Sequence, residues 1–358
     1  MSPAKRPLSA PWSLLRPSAI ALLACLAFVT VVMLSHKRGP VVFHDSGSGG
    51  YDGTLFYQIA VSSLGAASQL DHPAYRYQRI LYPLLARVLG FGRPQGISLA
   101  LLGLNIVALV PRTELLGHIL EIWKANRWYA LIFTFFIGQW VALRFDTSEP
   151  LCYLFIPGGI LSTERKHSGA TTVLFALAMC AKDLALYFIA AYGIAYMVRK
   201  EWTKSLATWI SLIPYSLLQV VLWLWLKEFA LTSGPGAAFA PLPFLGYLQR
   251  GFSGSMAFVP LVLLLPALLG SIIGSSDAIR RWPAIEPIPL ALLLHALLII
   301  FLPFEASGEI RAAGRIAIGL VLAMLLTGAR LGAERILNYS ILWIPLSAIY
   351  LPSLLFGI

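Results

Sequence analysis

Charged residues are scarce in this chain. Only 12% of its 358 residues are charged, while 58% are hydrophobic and the mean hydropathy is +0.77. A soluble domain usually carries about 25% charged residues, so these charges cannot cover a water-facing surface around so large an apolar content. The shortage argues against a soluble enzyme, a disordered chain and a nucleic-acid-binding domain. It indicates a polytopic integral membrane protein.

Cysteines and familiar catalytic motifs are also few. Cys25, Cys152 and Cys180 lie in apolar segments without a CxxC pair or metal-ligand spacing, so we interpret them as small core residues. No HExxH, GxSxG, P-loop or GxGxxG context occurs, which gives no sign of a zincin, a hydrolase or a nucleotide fold. No cofactor is predicted, although Asp45 and Asp52, separated by flexible glycines, are compatible with a divalent metal.

Long apolar runs predict an all-α membrane domain over the whole chain. A hydrocarbon core about 30 Å thick needs roughly 20 apolar residues per helix. Eleven spans are predicted, near 18–35, 96–111, 128–143, 150–162, 169–181, 184–198, 205–226, 257–275, 288–303, 315–328 and 338–355. Because several of these spans are short, tilted helices or one fused pair at 169–198 are alternatives to eleven separate spans. An even number of spans would place the C-terminus on the other face of the membrane.

The basic residues predict the orientation. Of 27 Lys and Arg, which give a net charge of +11, fifteen fall in segments that are inner if the N-terminus is cytoplasmic. These are Lys5, Arg6, Arg16, Arg112, Lys124, Arg127, Arg165, Lys166, Arg199, Lys200, Lys204, Arg280, Arg281, Arg330 and Arg335. Residues 1–17 are then a cytoplasmic tail, and 36–95 and 227–256 are outer loops. Cleavage of the first span as a signal peptide, near Cys25, is the alternative to a retained anchor.

The first outer loop concentrates ionisable and aromatic residues. A glycine-rich run ends at Tyr51 and Asp52, and apolar spacing over 54–65 predicts an interfacial helix on the outer leaflet. Asp52 would lie at the N-terminal end of that helix, where the helix dipole favours a carboxylate. A simple helix cap therefore competes with a functional role for Asp52.

Further polar residues fall at the same predicted rim. Arg76 and Arg79 share one face if their segment is helical, which suits a phosphodiester or diphosphate, although two arginines reaching lipid headgroups is the alternative. Lys182 is a third predicted phosphate contact. Additional candidates for binding the phosphate or the substrate are Arg311, Arg315, Tyr51, Tyr57, Tyr75, Tyr77, Gln78, Asp146 and Glu149. For Asp146 and Glu149 the structural alternative is a capped turn at 144–150, and for Arg311 and Arg315 it is a surface loop at 305–315.

Two stretches of this loop resemble a known family. Residues 50–60 (GYDGTLFYQIA) and 74–86 (AYRYQRILYPLLA) are similar to GT-C glycosyltransferases, in particular to a bacterial subgroup linked to cell-surface glycopolymer formation. The loop is also distantly similar to the PIG-V type of GPI mannosyltransferase, with Tyr51 where that pattern has tryptophan. The turn at 146–150 and the Lys182–Asp183 site resemble the bacterial subgroup too, with Asp183 where glutamate is frequent.

The resemblance implies a multi-helix fold with a periplasmic active site in the bacterial inner membrane. It implies a polyprenyl-phosphate sugar donor, a glycan, lipid or protein acceptor, and Asp52 as general base or acceptor positioner. Elementary chemistry agrees, because transfer from a lipid phosphate needs a base for the acceptor and cations for the departing phosphate. A transporter or flippase of a lipid-linked sugar and a non-catalytic membrane scaffold are the competing interpretations.

Overall fold

The structure is a computed structural model that describes residues 16–45, 51–234, 239–250, 260–307 and 309–356. Within these ranges it is helical and contains no β-strand, in agreement with the all-α prediction. Most of the predicted cytoplasmic tail, the glycine-rich run at 46–50 and parts of the predicted second outer loop lie outside the described residues.

The N-terminal part of the chain, up to residue 198, forms ten α-helices within the described residues, and it includes the first predicted outer loop. The α-helices are α1 (Pro17–His36), α2 (Asp52–Ser62), α3 (Pro73–Tyr77), α4 (Leu81–Leu89), α5 (Pro94–Ile122), α6 (Ala130–Phe135), α7 (Ile137–Arg144), α8 (Glu149–Glu164), α9 (Ser168–Ala181) and α10 (Leu186–Val198). Single 3-10 turns occur at Pro40–Phe43, Ser63–Gln69, Arg127–Tyr129 and Asp183–Ala185.

The C-terminal part continues the same architecture. Its α-helices are α11 (Trp202–Ile210), α12 (Ile213–Leu226), α13 (Ala230–Ser233), α14 (Leu245–Arg250), α15 (Leu265–Arg280), α16 (Pro287–Ile300), α17 (Phe304–Ser307), α18 (Ile310–Ile316), α19 (Ile318–Arg330), α20 (Glu334–Ser340) and α21 (Trp343–Phe356). A π-helical turn at Pro260–Leu264 leads into α15.

Six helical segments of the described chain are long and apolar enough to cross a membrane. They are Pro17–His36, Pro94–Ile122, Trp202–Leu226, Val262–Arg280, Ile310–Arg330 and Glu334–Phe356. Each coincides with a predicted span, and together they identify a helical membrane protein.

The other five predicted spans also fall on helices, but these helices are short or interrupted. The 128–143 prediction is split at Phe136 between α6 and α7. The break predicted between 169–181 and 184–198 is present, since α9 ends at Ala181 and α10 begins at Leu186, so the fused pair is not formed. Helices α9 and α16, at 14 residues each, rise only about 21 Å, less than a hydrocarbon core. The count of eleven spans therefore stays a prediction.

Helix α19 lies at the centre of the bundle. Every residue from Ile318 to Ala329 is buried, and α16 packs along it. By contrast, α12 keeps apolar side chains outside: Leu217, Val220, Val221 and Leu224 are each more than half exposed. An exposed apolar face of this size is suited to contact with lipid rather than water.

The charged loops predicted to be inner meet at one end of the bundle. Glu286 lies 3.3 Å from Arg199 and 3.1 Å from Arg330, and Arg330 also pairs with Glu164 at 3.9 Å. Glu164 ends α8, whereas Glu149 begins it, so the two carboxylates lie at opposite ends of that helix. The structure therefore separates two charged ends, and the assignment of one end to the cytoplasm stays a prediction.

Arg112 corrects the predicted topology. We placed it in an inner loop after a span ending at 111, but α5 continues to Ile122 and Arg112 is fully buried within it. Its Nη1 donates to Gln139 Oε1 at 2.8 Å, and its guanidinium lies over the Phe133 ring at 4.6 Å. The sequence predicts the end of the span before this arginine, because it does not show which charges are enclosed by the helix bundle.

Candidate active site

The polar residues converge where several helices begin or end at one end of the bundle. Glu149 is the first residue of α8, and Lys182 lies between the end of α9 and the start of α10. Arg315 lies in the last turn of α18. Because α8 and α10 run away from this end and α9 runs toward it, the three side chains meet at the same level.

Asp52 is the centre of this cluster. Its Oδ1 pairs with Arg76 Nη1 at 2.7 Å, and its Oδ2 lies 2.9 Å from Arg315 Nη1 and 3.7 Å from Arg79 Nη1. Burial raises the pKa of this carboxyl, but the charges of Arg315, Arg76, Arg79 and Lys182 outweigh burial and hold the pKa well below its usual range. Asp52 is therefore ionised at every physiological pH.

The start of α2 is pressed against the turn that precedes α8. A Cβ on Gly53 would lie only 2.0 Å from the Phe145 carbonyl oxygen, so only glycine allows this approach. The helix begins at Asp52 as the sequence predicts, but the carboxylate is used for ion pairs with arginines. The cap interpretation thus does not account for its contacts.

Arg76 and Arg79 are held by neighbours of their own. Asp71 accepts from Arg76 Nε at 2.9 Å and from Nη2 at 2.6 Å. Arg79 donates to the Tyr75 hydroxyl at 2.7 Å, and its guanidinium lies 4.5 Å from the centre of the Tyr75 ring. Both guanidiniums are more than nine-tenths buried, so they are fixed before any ligand arrives.

Glu149 joins the second pair of cations to the cluster. Its Oε1 lies 3.0 Å from Lys182 Nζ and 3.2 Å from Arg315 Nη1. Burial raises the pKa of Glu149, but Arg315 and Lys182 dominate and lower it to about 2. Arg315 also donates to the Tyr51 hydroxyl at 3.0 Å, which links Tyr51 to the same cluster.

Two glycines bring the helix of Arg315 to this place. A Cβ on Gly138 in α7 would lie 2.2 Å from the carbonyl oxygen of Gly314, the residue before Arg315. The backbones of α7 and α18 are therefore in direct contact. This contact sets how far Arg315 extends toward Asp52.

These side chains form the floor of a cavity of about 510 Å³. Four buried cations (Arg76, Arg79, Lys182 and Arg315) line the floor beside Asp52, Glu149 and Asp183. The exposed Glu305 and Glu309 also line the cavity, so its lining holds four cations and five carboxylates. Another part of the lining is apolar: Met179, Leu184, Leu231, Phe239, Leu298 and Leu302. A cavity with a cationic floor and an apolar side suits an anion attached to a hydrophobic chain.

The structure brings together most of the predicted site residues. Tyr51, Asp52, Tyr75, Arg76, Gln78, Arg79, Glu149, Lys182 and Arg315 all line the cavity. Asp183, Tyr187 and Tyr215 line it as well and were not predicted as site residues. Asp183 could have been predicted because it adjoins the charged Lys182. Tyr187 and Tyr215 have no local feature that distinguishes them from the many other aromatic residues of the spans.

Four predicted residues lie elsewhere. Tyr57 stacks on His44 with ring centres 4.0 Å apart, and Tyr77 packs against Trp225 at 5.1 Å. Arg311 is exposed with its guanidinium over Phe145.

Asp146, the fourth, is fully buried behind the floor. Among the described residues, Asn105 Nδ2 donates a long hydrogen bond to Asp146 Oδ1 at 3.4 Å. Burial raises the pKa of Asp146 well above the usual range, against the opposing charge of Arg144. Asp146 is not among the residues that line the cavity.

The described residues contain no group of three His, Cys, Asp or Glu side chains that could hold a metal ion. Asp45 is half-exposed and lies 3.9 Å from Arg38, away from the cavity lining.

Comparisons with protein-family models, with curated proteins and with solved structures find no match to this chain. The function has to be argued from the chemistry of the site.

Proposed function

We propose that this protein is a membrane glycosyltransferase that moves a sugar from a polyprenyl-phosphate donor to an acceptor hydroxyl. The reaction would take place on the periplasmic face of a bacterial inner membrane, in the assembly of a cell-surface glycan. The observation that carries the proposal is the cavity floor, where Asp52 forms ion pairs with the buried Arg76, Arg79 and Arg315 beside an apolar lining.

The buried cations of the floor suit such a donor. A sugar linked to a lipid phosphate is a phosphodiester with one negative charge, and Arg76, Arg79, Lys182 and Arg315 are gathered in one cavity. Arginine binds phosphate oxygens through two parallel hydrogen bonds, and buried cations bind anions more strongly than exposed ones. The apolar residues of the lining would contact the first isoprenoid units.

In the proposed reaction Asp52 takes the proton of the acceptor hydroxyl. The acceptor oxygen attacks the anomeric carbon, the bond from that carbon to the phosphate oxygen breaks, and polyprenyl phosphate leaves with the electron pair. Arg76, Arg79, Lys182 and Arg315 would stabilise the charge that grows on the leaving phosphate.

Asp52 is a weak base while it is paired with Arg76 and Arg315, because those charges hold its pKa low. A bound phosphate competes for the same guanidiniums, since each has a limited number of donors. Donor binding would therefore loosen the ion pairs and make Asp52 a stronger base only when a donor is present.

The test is transfer of labelled sugar by purified protein in liposomes, with wild type, Asp52→Asn and the control Asp45→Asn. Asp45 lies in the same loop, and its side chain is half-exposed. We expect Asp45→Asn to match wild type and Asp52→Asn to lose about 10²-fold or more in kcat. Donor binding should persist in Asp52→Asn, because the lost carboxylate competes with phosphate for the arginines.

Equal turnover by Asp52→Asn would remove Asp52 from the chemistry. A transporter or flippase is the second candidate, favoured by the helix break at Lys182, since broken helices build transport sites. Donor binding by wild type without transfer to any acceptor of a panel, together with donor movement between leaflets, would establish that candidate instead.

A further inference from the structure

Gln78 carries a polar group that the cluster around Asp52 does not use. It follows α3, lines the cavity and is 1% exposed. The Tyr215 hydroxyl donates to Gln78 Oε1 at 2.8 Å, while Gln78 Nε2 has no hydrogen-bond partner among the residues that the structure describes. Turning the amide round would give Nε2 the Tyr215 partner and leave Oε1 without one, so one end is unpartnered in either orientation.

A buried polar group without a partner destabilises the fold, so its retention in a cavity lining suggests a ligand that satisfies it. Asp183 lines the same cavity and offers the complementary group. Its Oδ1 is 3.5 Å from Arg79 Nε, an ion-pair distance without hydrogen-bond geometry. Because Arg79 follows Gln78 in the chain, an amide and a carboxylate lie on neighbouring parts of the lining.

We infer that Gln78 and Asp183 form a subsite for the hydroxyl groups of a neutral sugar, with Tyr215 as the residue that positions the Gln78 amide. The inference rests on the proposed function and specifies its substrate class. A sugar hydroxyl both donates and accepts, so adjacent hydroxyls can satisfy the amide and the carboxylate together.

The carboxylate of Asp183 also selects against an acidic sugar. A uronic acid placed beside it would bring two like charges together in a partly buried site, which is unfavourable. The four cations do not cancel this effect, because they are already paired with Asp52, Asp71, Glu149 and Asp183 and would bind the donor phosphate. A neutral hexose or pentose is thus the sugar class that fits this lining.

The experiment measures binding, so it does not depend on turnover. The probes are bare polyprenyl phosphate and polyprenyl phosphates that carry mannose, glucose, galactose, arabinose or glucuronic acid. The variants are Gln78→Met, Tyr215→Phe and Asp183→Asn. Gln58→Met is the matched control, because Gln58 lies in α2 of the same loop and is not among the cavity-lining residues.

We expect wild type to bind at least one neutral-sugar donor more tightly than bare polyprenyl phosphate and more tightly than the glucuronic acid donor. Gln78→Met should weaken binding of that neutral donor roughly 2- to 13-fold, the range for one hydrogen bond to an uncharged group, without changing binding of the bare lipid. Tyr215→Phe should reduce the preference for the neutral donor over the bare lipid by less than Gln78→Met does, and Gln58→Met should leave that preference unchanged. Asp183→Asn should reduce the preference for the neutral donor over the glucuronic acid donor.

Equal weakening of the sugar donor and the bare lipid in Gln78→Met would overturn the subsite, since Gln78 would then act on the phosphate or the fold. No weakening of either would also overturn it, as would wild type that binds no neutral donor more tightly than the bare lipid. Selective weakening in a protein that never transfers sugar would uphold the subsite and refute the transferase.

Discussion

The contact between Gly138 and Gly314 predicts different effects for an alanine at each of the two positions. A Cβ on Gly138 would lie 2.2 Å from the Gly314 carbonyl oxygen and 2.8 Å from Ile318 Cγ1, so Gly138→Ala must separate α7 from α18. Ordinary carbon–oxygen contacts are about 3.3 Å, which requires a shift of about 1 Å. A Cβ on Gly314 would instead meet its nearest atom, Ile137 Cγ2, at 3.6 Å, an ordinary contact.

Two magnitudes follow from this shift. Overpacking in a buried contact costs about 1–3 kcal/mol, so Gly138→Ala should lower the free energy of unfolding by that amount. The Arg315–Asp52 distance of 2.9 Å would move toward 4 Å, beyond a hydrogen bond. Misplacement of a catalytic group by 1 Å can reduce activity by about 10²-fold. Gly314→Ala should be neutral or slightly stabilising, because alanine favours the helix over glycine.

Thermal unfolding in detergent and sugar transfer in liposomes would be measured for both variants in parallel. We expect a lower unfolding temperature, by roughly 2–4 °C per kcal/mol, and lower transfer for Gly138→Ala only. Indistinguishable variants would refute the argument that this backbone contact positions Arg315. A stable Gly138→Ala protein with lost transfer would still support it, since the shift would then be tolerated by the fold but not by the site.

Two further predictions concern buried charges. Glu149→Gln should lower the free energy of unfolding at neutral pH by on the order of 3 kcal/mol, because the Glu149 pKa falls from 4.5 to about 2 on folding. Since the folded pKa is the lower one, this contribution is complete above about pH 4.5 and disappears as the pH falls toward 2. Unfolding measurements across pH 3–6 check it, and a stability difference between wild type and Glu149→Gln that stays constant over that range would contradict it. Arg112→Met should leave the unfolding temperature unchanged or raise it, because Arg112 is fully buried with one side-chain hydrogen bond and without a carboxylate partner among the described residues. A large loss of stability in Arg112→Met, measured beside the exposed control Arg311→Met, would show that its buried charge is stabilising.

The class of fold and the positions of its helices could be predicted from the sequence. Apolar runs and helix-starting prolines such as Pro17, Pro94 and Pro287 act over a few residues, so the spans at 18–35, 96–111 and 288–303 coincide with helices. The start of α2 at Asp52 was predicted for the same reason. The break at Lys182 could be predicted too, because two charged residues interrupt the apolar stretch there. The break at Phe136 could not, because the apolar run continues on both sides of it.

The candidate site could be predicted only in part. Asp52, Arg76 and Arg79 were found because they are close together in a loop that is otherwise apolar and aromatic. Tyr57 and Tyr77 belong to the same loop but pack against His44 and Trp225, because the turn of each short helix decides which side chains face the cavity. No local pattern distinguishes these tyrosines from Tyr75.

The sequence by itself determined that this is a helical membrane protein with a polar first loop, because composition and local periodicity are properties of consecutive residues. Only the tertiary structure decided that Arg315 meets Asp52 across 263 positions, that Tyr215 fixes Gln78, and that Arg112 is enclosed in the bundle. Each of these depends on how closely distant helices approach. Backbone contacts such as that of Gly138 with Gly314 set that distance, and it cannot be seen in the order of the residues.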